Sequence, residues 1–331
     1  MDLENLNLTV SCSPHAHAPD NTRSIMLDVV IALIPAMLGA IYFFGMRSLC
    51  VMAVSVAACV FFEWGYRRLL KKDCTIGDCS AVVTGILLAL VCPVTIPYWT
   101  LIIGDFFAII VVKQLFGGIG CNFLNPALAG RAFLFSYAVI MTTWVAPHTS
   151  VNLIGANADV VTSATPMASL HQALLPETSI MNCLVGNIGG CIGETSVILL
   201  AAGGVYLLAR KIISARIPLA FILTVAVLTF VFPQGGNDRL TWMGYQLCSG
   251  GLMLGAIFMA TDYATSPVTK WGQIVYGIGC GLITVFIRYF GSYAEGVSFA
   301  ILIMNITVLL LDKIGVPKRF GYVKPAKEAS K

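Results

Sequence analysis

The stretch Thr84-Gly85-Ile86-Leu87-Leu88-Ala89-Leu90-Val91-Cys92-Pro93-Val94-Thr95-Ile96-Pro97 decides the fold. It is as apolar as a membrane helix but short for one, and it ends in two prolines, which cannot continue a helix. Broken and re-entrant membrane helices have this pattern. The chain repeats the device: Ser249-Gly250-Gly251-Leu252-Met253-Leu254-Gly255-Ala256 leads to Thr265-Ser266-Pro267. Each stretch is followed by another apolar span, then by a basic residue and Phe-Gly, with Lys113 before Phe116-Gly117 and Arg288 before Phe290-Gly291. Inverted repeats with Gly- and Pro-interrupted spans mark transporter-like folds, whose ligands sit between the repeats.

Working outward, the apolar runs are 25–44, 48–66, 79–93, 98–116, 126–144, 193–209, 217–233, 244–261, 271–290 and 295–312. These readings predict an all-α polytopic membrane protein of about ten transmembrane helices, in two inverted five-helix repeats with short or broken members. Composition agrees: 58% of the 331 residues are hydrophobic and 11% charged, against roughly 25% charged in a soluble domain. A water-soluble enzyme, a disordered chain and a nucleic-acid-binding protein are excluded. The organisation read from the runs is an N-terminal segment 1–24, a first repeat 25–144, a loop 145–192, a second repeat 193–312 and a basic tail 313–331. Residues 1–24 are polar and do not read as a cleavable signal peptide.

Basic residues set the orientation. With the N-terminus inside, sixteen Lys and Arg fall on inner segments, only Arg47, Arg239 and Arg288 on outer ones, and Arg131 within a span. Both termini are therefore expected in the cytoplasm, and loop 145–192, which has no Lys or Arg, outside. The eleven cysteines are scattered without C-x-x-C spacing, so no metal site is expected. Cys183 and Cys191 share the outer loop and are a candidate disulfide.

Four residues are candidates for chemistry. Asn125 precedes Pro126 and reads as a helix N-cap with proline at the first helical position. Helix N-termini collect anions or electron-rich ring edges. Arg131, one and a half turns on, and Asp105, well within span four, are ionisable groups at membrane depth, which are costly and rarely idle. Asp105 can bind Na⁺ by charge or carry a proton. The other acids near spans (Asp28, Glu63, Asp78, Glu194, Asp262, Glu295, Asp312) mostly lie at span ends, where water or a headgroup suffices. In the outer loop, Thr165 is flanked by small residues and reads as a hydroxyl open to a modifying transferase. No Ser-His-acid triad is legible around Ser163 or His171, and no catalytic residue is assigned.

Asp159-x-x-Thr162-Ser163-Ala164-Thr165 resembles the D-x-x-[ST]-[GSA]-A-T flavinylation motif. Three further features match one family: Ser13-Pro14-His15 ahead of Ile25-Met26-Leu27-Asp28, the Thr84-Gly85 stretch, and Phe116-Gly-Gly-Ile-Gly-Cys-Asn-Phe-Leu-Asn125-Pro126-Ala-Leu-Ala-Gly-Arg131 after Lys113-Gln114. Together they resemble, over nearly the whole chain, the RnfD family of membrane subunits of Rnf complexes. They are also similar to its paralogue NqrB, from the sodium-pumping NADH:quinone oxidoreductase (Nqr). The short segment before the first span favours the Rnf branch. One departure is Asn122-Phe-Leu-Asn125-Pro126, where members often carry Asn-Ile-Phe-Asn-Pro; the swap leaves the cap intact.

The resemblance implies a subunit of an ion-translocating ferredoxin:NAD oxidoreductase in the bacterial cytoplasmic membrane, with no complete active site of its own. It implies FMN joined through its phosphate to Thr165 by a flavin transferase, and a second, non-covalent flavin, riboflavin, within the membrane. Implied partners are the other Rnf subunits (A, B, C, E and G), above all RnfG with its own covalent FMN. Transfer would be coupled to Na⁺ or H⁺. The Nqr protein is the runner-up, and a small-solute channel or transporter, suggested by the repeat alone, is a third reading.

Overall fold

The computed structural model describes residues 21–149, 151–153, 162–194 and 196–316. Ser13-Pro14-His15, Asp159 of the motif and most of the tail lie outside them. The described residues form helices and connections, with one isolated antiparallel bridge, Val145 to Thr162. The helices are α1 (Thr22–Phe44), α2 (Met46–Leu69), α3 (Ser80–Leu90), α4 (Tyr98–Phe106), α5 (Pro126–Leu134), α6 (Ala138–Met141), α7 (Pro166–His171), α8 (Ile180–Val185), α9 (Val197–Ala209), α10 (Arg216–Val231), α11 (Arg239–Cys248), α12 (Leu252–Leu254), α13 (Lys270–Phe290) and α14 (Val297–Leu311). α4 runs on as a π-helix over Phe107–Gln114, and α12 as another over Gly255–Met259.

Three helices, α1, α2 and α13, are long and apolar enough to cross a membrane. The other apolar helices are shorter, and sequence explains why. α3 stops at Leu90, ahead of Pro93 and Pro97. The apolar run 244–261 is not one helix: Gly250 and Gly251 take φ of +73° and +63°, the left-handed region that glycine enters without strain, and separate α11 from α12. The sixth run starts four residues late, at Val197, where Ser196 caps α9 by accepting from the Leu199 amide.

α1 packs on α9, α2 on α3 and α4, α10 on α13, α13 on α14, and α5 on α14. Gly85 lets α3 lie against α2: a Cβ there would sit 2.8 Å from the Val56 Cα. The main core runs through these contacts, and a satellite core of Met167, Leu170, Cys183, Ile188, Trp242 and Tyr245 fixes α7 and α8 onto α11. The segment 145–192 is thus more than a solvated loop, because α7 and α8 bury apolar side chains there. Cys183 and Cys191 are both free thiols, Cys183 in the satellite core and Cys191 bonded to the Val91 carbonyl at 3.2 Å, so the candidate disulfide is not formed.

Several charges assigned to span ends or outer segments are buried and paired. Lys113 meets Glu63 at 2.8 Å and Ser80 Oγ at 2.6 Å. Arg47 donates to the carbonyls of Ile96 (3.0 Å) and Leu153 (2.5 Å). Arg288 donates to the Gln246 carbonyl at 2.6 Å and the Ser249 carbonyl at 3.1 Å. Arg47 and Arg288, two of the three arginines assigned to outer segments by sequence, therefore work as internal fasteners of carbonyls freed where helices break.

Candidate functional site

Thr165 is positioned from both sides in sequence. Upstream, the Val145–Thr162 bridge and the Ser163 amide, which donates to the Trp144 carbonyl at 2.9 Å, tie the motif to the chain leaving α6. Downstream, Pro166 opens α7 and Thr165 is its N-cap, its hydroxyl accepting from the Ala168 amide at 3.3 Å. Thr165 is only 8% exposed, so the open hydroxyl expected from its small neighbours is instead part of a wall. That wall belongs to a cleft of about 630 Å³, which Ser163, Arg131, Phe135, Tyr293 and Phe299 also line.

Two predicted residues 34 positions apart, Arg131 and Thr165, are thereby brought to one cavity. α5 supplies Arg131 and the turn beyond it Phe135. The segment entering α14 supplies Tyr293, Glu295, Ser298 and Phe299. Arg131 forms an ion pair with Glu295 and donates to Ser298 Oγ at 2.7 Å and towards Cys191 Sγ at 3.5 Å. Phe135, Tyr293 and Phe299 form a triangle with ring centroids 5.2–5.7 Å apart, and the Arg131 guanidinium lies 5.5 Å from the Phe135 centroid. The Ser163 hydroxyl is buried and has no hydrogen-bond partner among the described residues. Cys191, Glu194 and Glu295 place ligand-type atoms within 4.8 Å of one another, but the Arg131 guanidinium already supplies positive charge there.

Asn125 caps α5 as expected, its Oδ1 accepting from the amides of Ala127 (3.1 Å) and Leu128 (3.3 Å), while its Nδ2 donates to the Met259 carbonyl at 3.2 Å. It does not share the cleft of Arg131. It lines a second cavity with Thr84, Lys113, Asn122 and Asp262, between α1, α3, the start of α5 and the turn after the second π-helix. Asn125 at the cap of α5 and Arg131 within it thus line two different cavities.

Asp105 stands apart from both. It is fully buried on α4, with Oδ1 2.6 Å from Ser55 Oγ and 3.3 Å from Cys59 Sγ on α2. Its Oδ2 has no partner among the described residues.

The NQR2, RnfD, RnfE family model matches residues 9–321. The chain belongs to this family. Among its curated relatives, the D subunit of the Na⁺-translocating ferredoxin:NAD⁺ oxidoreductase complex of Acetobacterium woodii is 46% identical over 330 residues, covering 99% of each chain. The D subunit of the proton-translocating ferredoxin:NAD⁺ oxidoreductase complex of Clostridium ljungdahlii is 40% identical, covering 95% of this chain and 96% of that one. The D subunit of the ion-translocating oxidoreductase complex of Actinobacillus succinogenes is 33% identical, covering 95% and 98%. The resemblance drawn from motifs is thus carried by the whole sequence, and this chain is a membrane protein of the RnfD kind.

Sequence reasoning missed Glu295, Ser298 and the aromatic triangle. By position alone Glu295 reads as a span-end acid satisfied by water. A usable signal was present: Arg131 in the fifth apolar run of one half needed a counter-charge, and Glu295 opens the fifth run of the other. Local windows do not connect residues 164 positions apart.

Proposed function

We propose that this chain is the electron-carrying membrane subunit of an Rnf-type ferredoxin:NAD oxidoreductase, with FMN joined through its phosphate to Thr165. The observation that carries the reading is the shared cleft: Thr165, a buried arginine and three aromatic rings line one space. The residues fit a flavin. The triangle Phe135, Tyr293 and Phe299 offers ring faces and edges to an isoalloxazine, and Ser163 offers a hydroxyl with no other partner among the described residues. Bound FMN would supply the reversible acceptance of electrons. Arg131, held in place by Glu295 and Ser298, supplies fixed positive charge where reduction adds negative charge, and needs no reorganisation to do so.

Two further parts of the reading rest on the family resemblance and on helix packing. The second cavity carries polar groups (Thr84, Lys113, Asn122, Asn125 and Asp262) but only about 80 Å³ of space, less than a riboflavin needs, so the non-covalent riboflavin is carried by the family resemblance and not by this cavity. The inverted ten-span architecture is supported by repeated packing: the second helix meets the fourth in each half (α2 with α4, α10 with α13), and the first helices of the halves meet each other (α1 with α9). The basic residue of the fourth span bonds to the third in both halves, Lys113 to Ser80 at the start of α3 and Arg288 to the Ser249 carbonyl at the break between α11 and α12. In this topology both termini are cytoplasmic and Thr165 faces outward, towards RnfG with its own covalent FMN. Asp105 is assigned to ion coupling.

Peptide mass spectrometry of the chain made together with a flavin transferase tests the proposal. An FMN-minus-water adduct on Thr165, lost in Thr165→Val with the membrane fold intact, is the expected result. An unmodified Thr165 under those conditions would remove the flavin reading.

A further inference from the structure

We propose that Asp105 is a neutral acid, a proton-binding site inside the bundle, loaded from the end of α2 that carries Arg67, Arg68, Lys71 and Lys72. Ser55 Oγ lies 2.6 Å from Asp105 Oδ1 and 2.9 Å from the Gly85 carbonyl oxygen. Two oxygen–oxygen contacts of that length need two protons, and a hydroxyl brings one. When Ser55 donates to Gly85, the proton between Ser55 and Asp105 belongs to the carboxyl group. The chain then runs from the Asp105 O–H to Ser55 Oγ, and from the Ser55 O–H to the Gly85 carbonyl, with every contact satisfied.

Charge balance leads to the same assignment. Among the described residues no cationic nitrogen lies within 4 Å of Asp105. An ionised carboxylate with no counter-charge, fully buried in an apolar bundle, is strongly disfavoured by desolvation. A bound metal cation would need a shell of oxygens, but this site offers Asp105, Ser55 Oγ and the Gly85 carbonyl, with a thiol in the next position. The titratable groups facing Asp105 are Cys59 on α2 and, farther off, Cys92 after α3 and Lys113, whose charge is answered by Glu63.

The loading direction follows from α2. Ser55, Cys59 and Glu63 recur every four residues and lie on one face. Glu63 accepts from Lys113 at 2.8 Å and from Thr75 Oγ1 at 2.8 Å, and Lys113 donates to Ser80 Oγ, which donates to Asp78 at 2.6 Å. Asp78 is partly exposed. Polar groups thus run from Asp78 to Asp105, with one helical turn, about 5 Å, between Cys59 and Glu63. Beyond Ser55 the line ends at the Gly85 carbonyl. Loading adds one proton to one carboxylate; no other bond changes and no electron moves.

This deepens the coupling role assigned to Asp105, and its test does not depend on flavin. Infrared spectra of the full chain in lipid vesicles are recorded for the wild type, Asp105→Asn and Ser55→Ala. The wild-type-minus-Asp105→Asn difference should show the carbonyl stretch of a protonated carboxylic acid, which subtracts any contribution from Glu194 or Glu295. Ser55→Ala should keep that band and shift it, which covers the case where Asp105→Asn fails to fold. In D₂O the band should shift, and in Cys59→Ala that exchange should slow several-fold. Carboxylate bands in place of the acid stretch would overturn the neutral acid. An acid band that never exchanges would overturn the loading path. Flavin fluorescence of the same samples reports separately on the Thr165 reading.

Discussion

The Arg131–Glu295 pair gives the sharpest energetic prediction. The side chains are 4% and 16% exposed, and breaking a buried pair costs about 3–5 kcal/mol. The two halves of the pair should not cost the same. Arg131→Leu leaves Glu295 and Glu194, whose oxygens belong to a cluster within 4.8 Å, as adjacent carboxylates without their cation. That variant belongs near the upper end, about 5 kcal/mol. Glu295→Gln leaves the guanidinium with Ser298 and with Glu194 as a substitute counter-charge, so it belongs near the lower end, about 3 kcal/mol. The double variant removes both charges and should cost no more than Arg131→Leu alone, so the cycle should give a coupling of about 3 kcal/mol or more. The assay is reversible unfolding of the purified full chain in mixed micelles. Equal single costs with additive behaviour would refute the reasoning, because the pair would then be two independent residues that happen to touch.

Other outcomes follow from the same contacts. Arg131→Leu in the assembled complex should slow electron transfer while the Thr165 peptide keeps its FMN adduct; normal turnover would leave Arg131 a structural residue. Gly85→Leu should destabilise the bundle by about 1–3 kcal/mol through overpacking against the α2 backbone, measured as a lower midpoint of unfolding. A cysteine placed at the exposed Gln172, in a background without native external cysteines, should react with an impermeant thiol reagent in intact cells; labelling only after permeabilisation would reverse the topology. Asp105→Asn should leave flavin content unchanged and lower ion-linked turnover of the complex, read as ions moved per electron pair.

The helical fold was legible because bilayer thickness and backbone satisfaction leave few choices for a chain this apolar. The interruption after Leu90 was legible because proline and helix are incompatible, and the Asn125 cap because Asn-Pro has one local meaning. The division of the 244–261 run was not, since Gly250 and Gly251 signal a break only once their backbone angles are known. The cleft itself was illegible. Thr165 and Arg131 were each singled out, but their meeting depends on the way α14 returns alongside α5, and no local pattern encodes that return.

The Arg131–Glu295 pair also bears on how the protein is made. Arg131 leaves the ribosome 164 residues before its partner. At about 5–20 residues per second, the first half waits on the order of 8–33 s with an unanswered guanidinium in an apolar segment. During that interval the lowest-energy place for Arg131 is the interface, with its side chain reaching towards headgroups or water. α5 therefore settles into its final position only after the last helix arrives. The cleft around Thr165 closes in the same event, so Thr165 reaches its finished surroundings only on a completed chain.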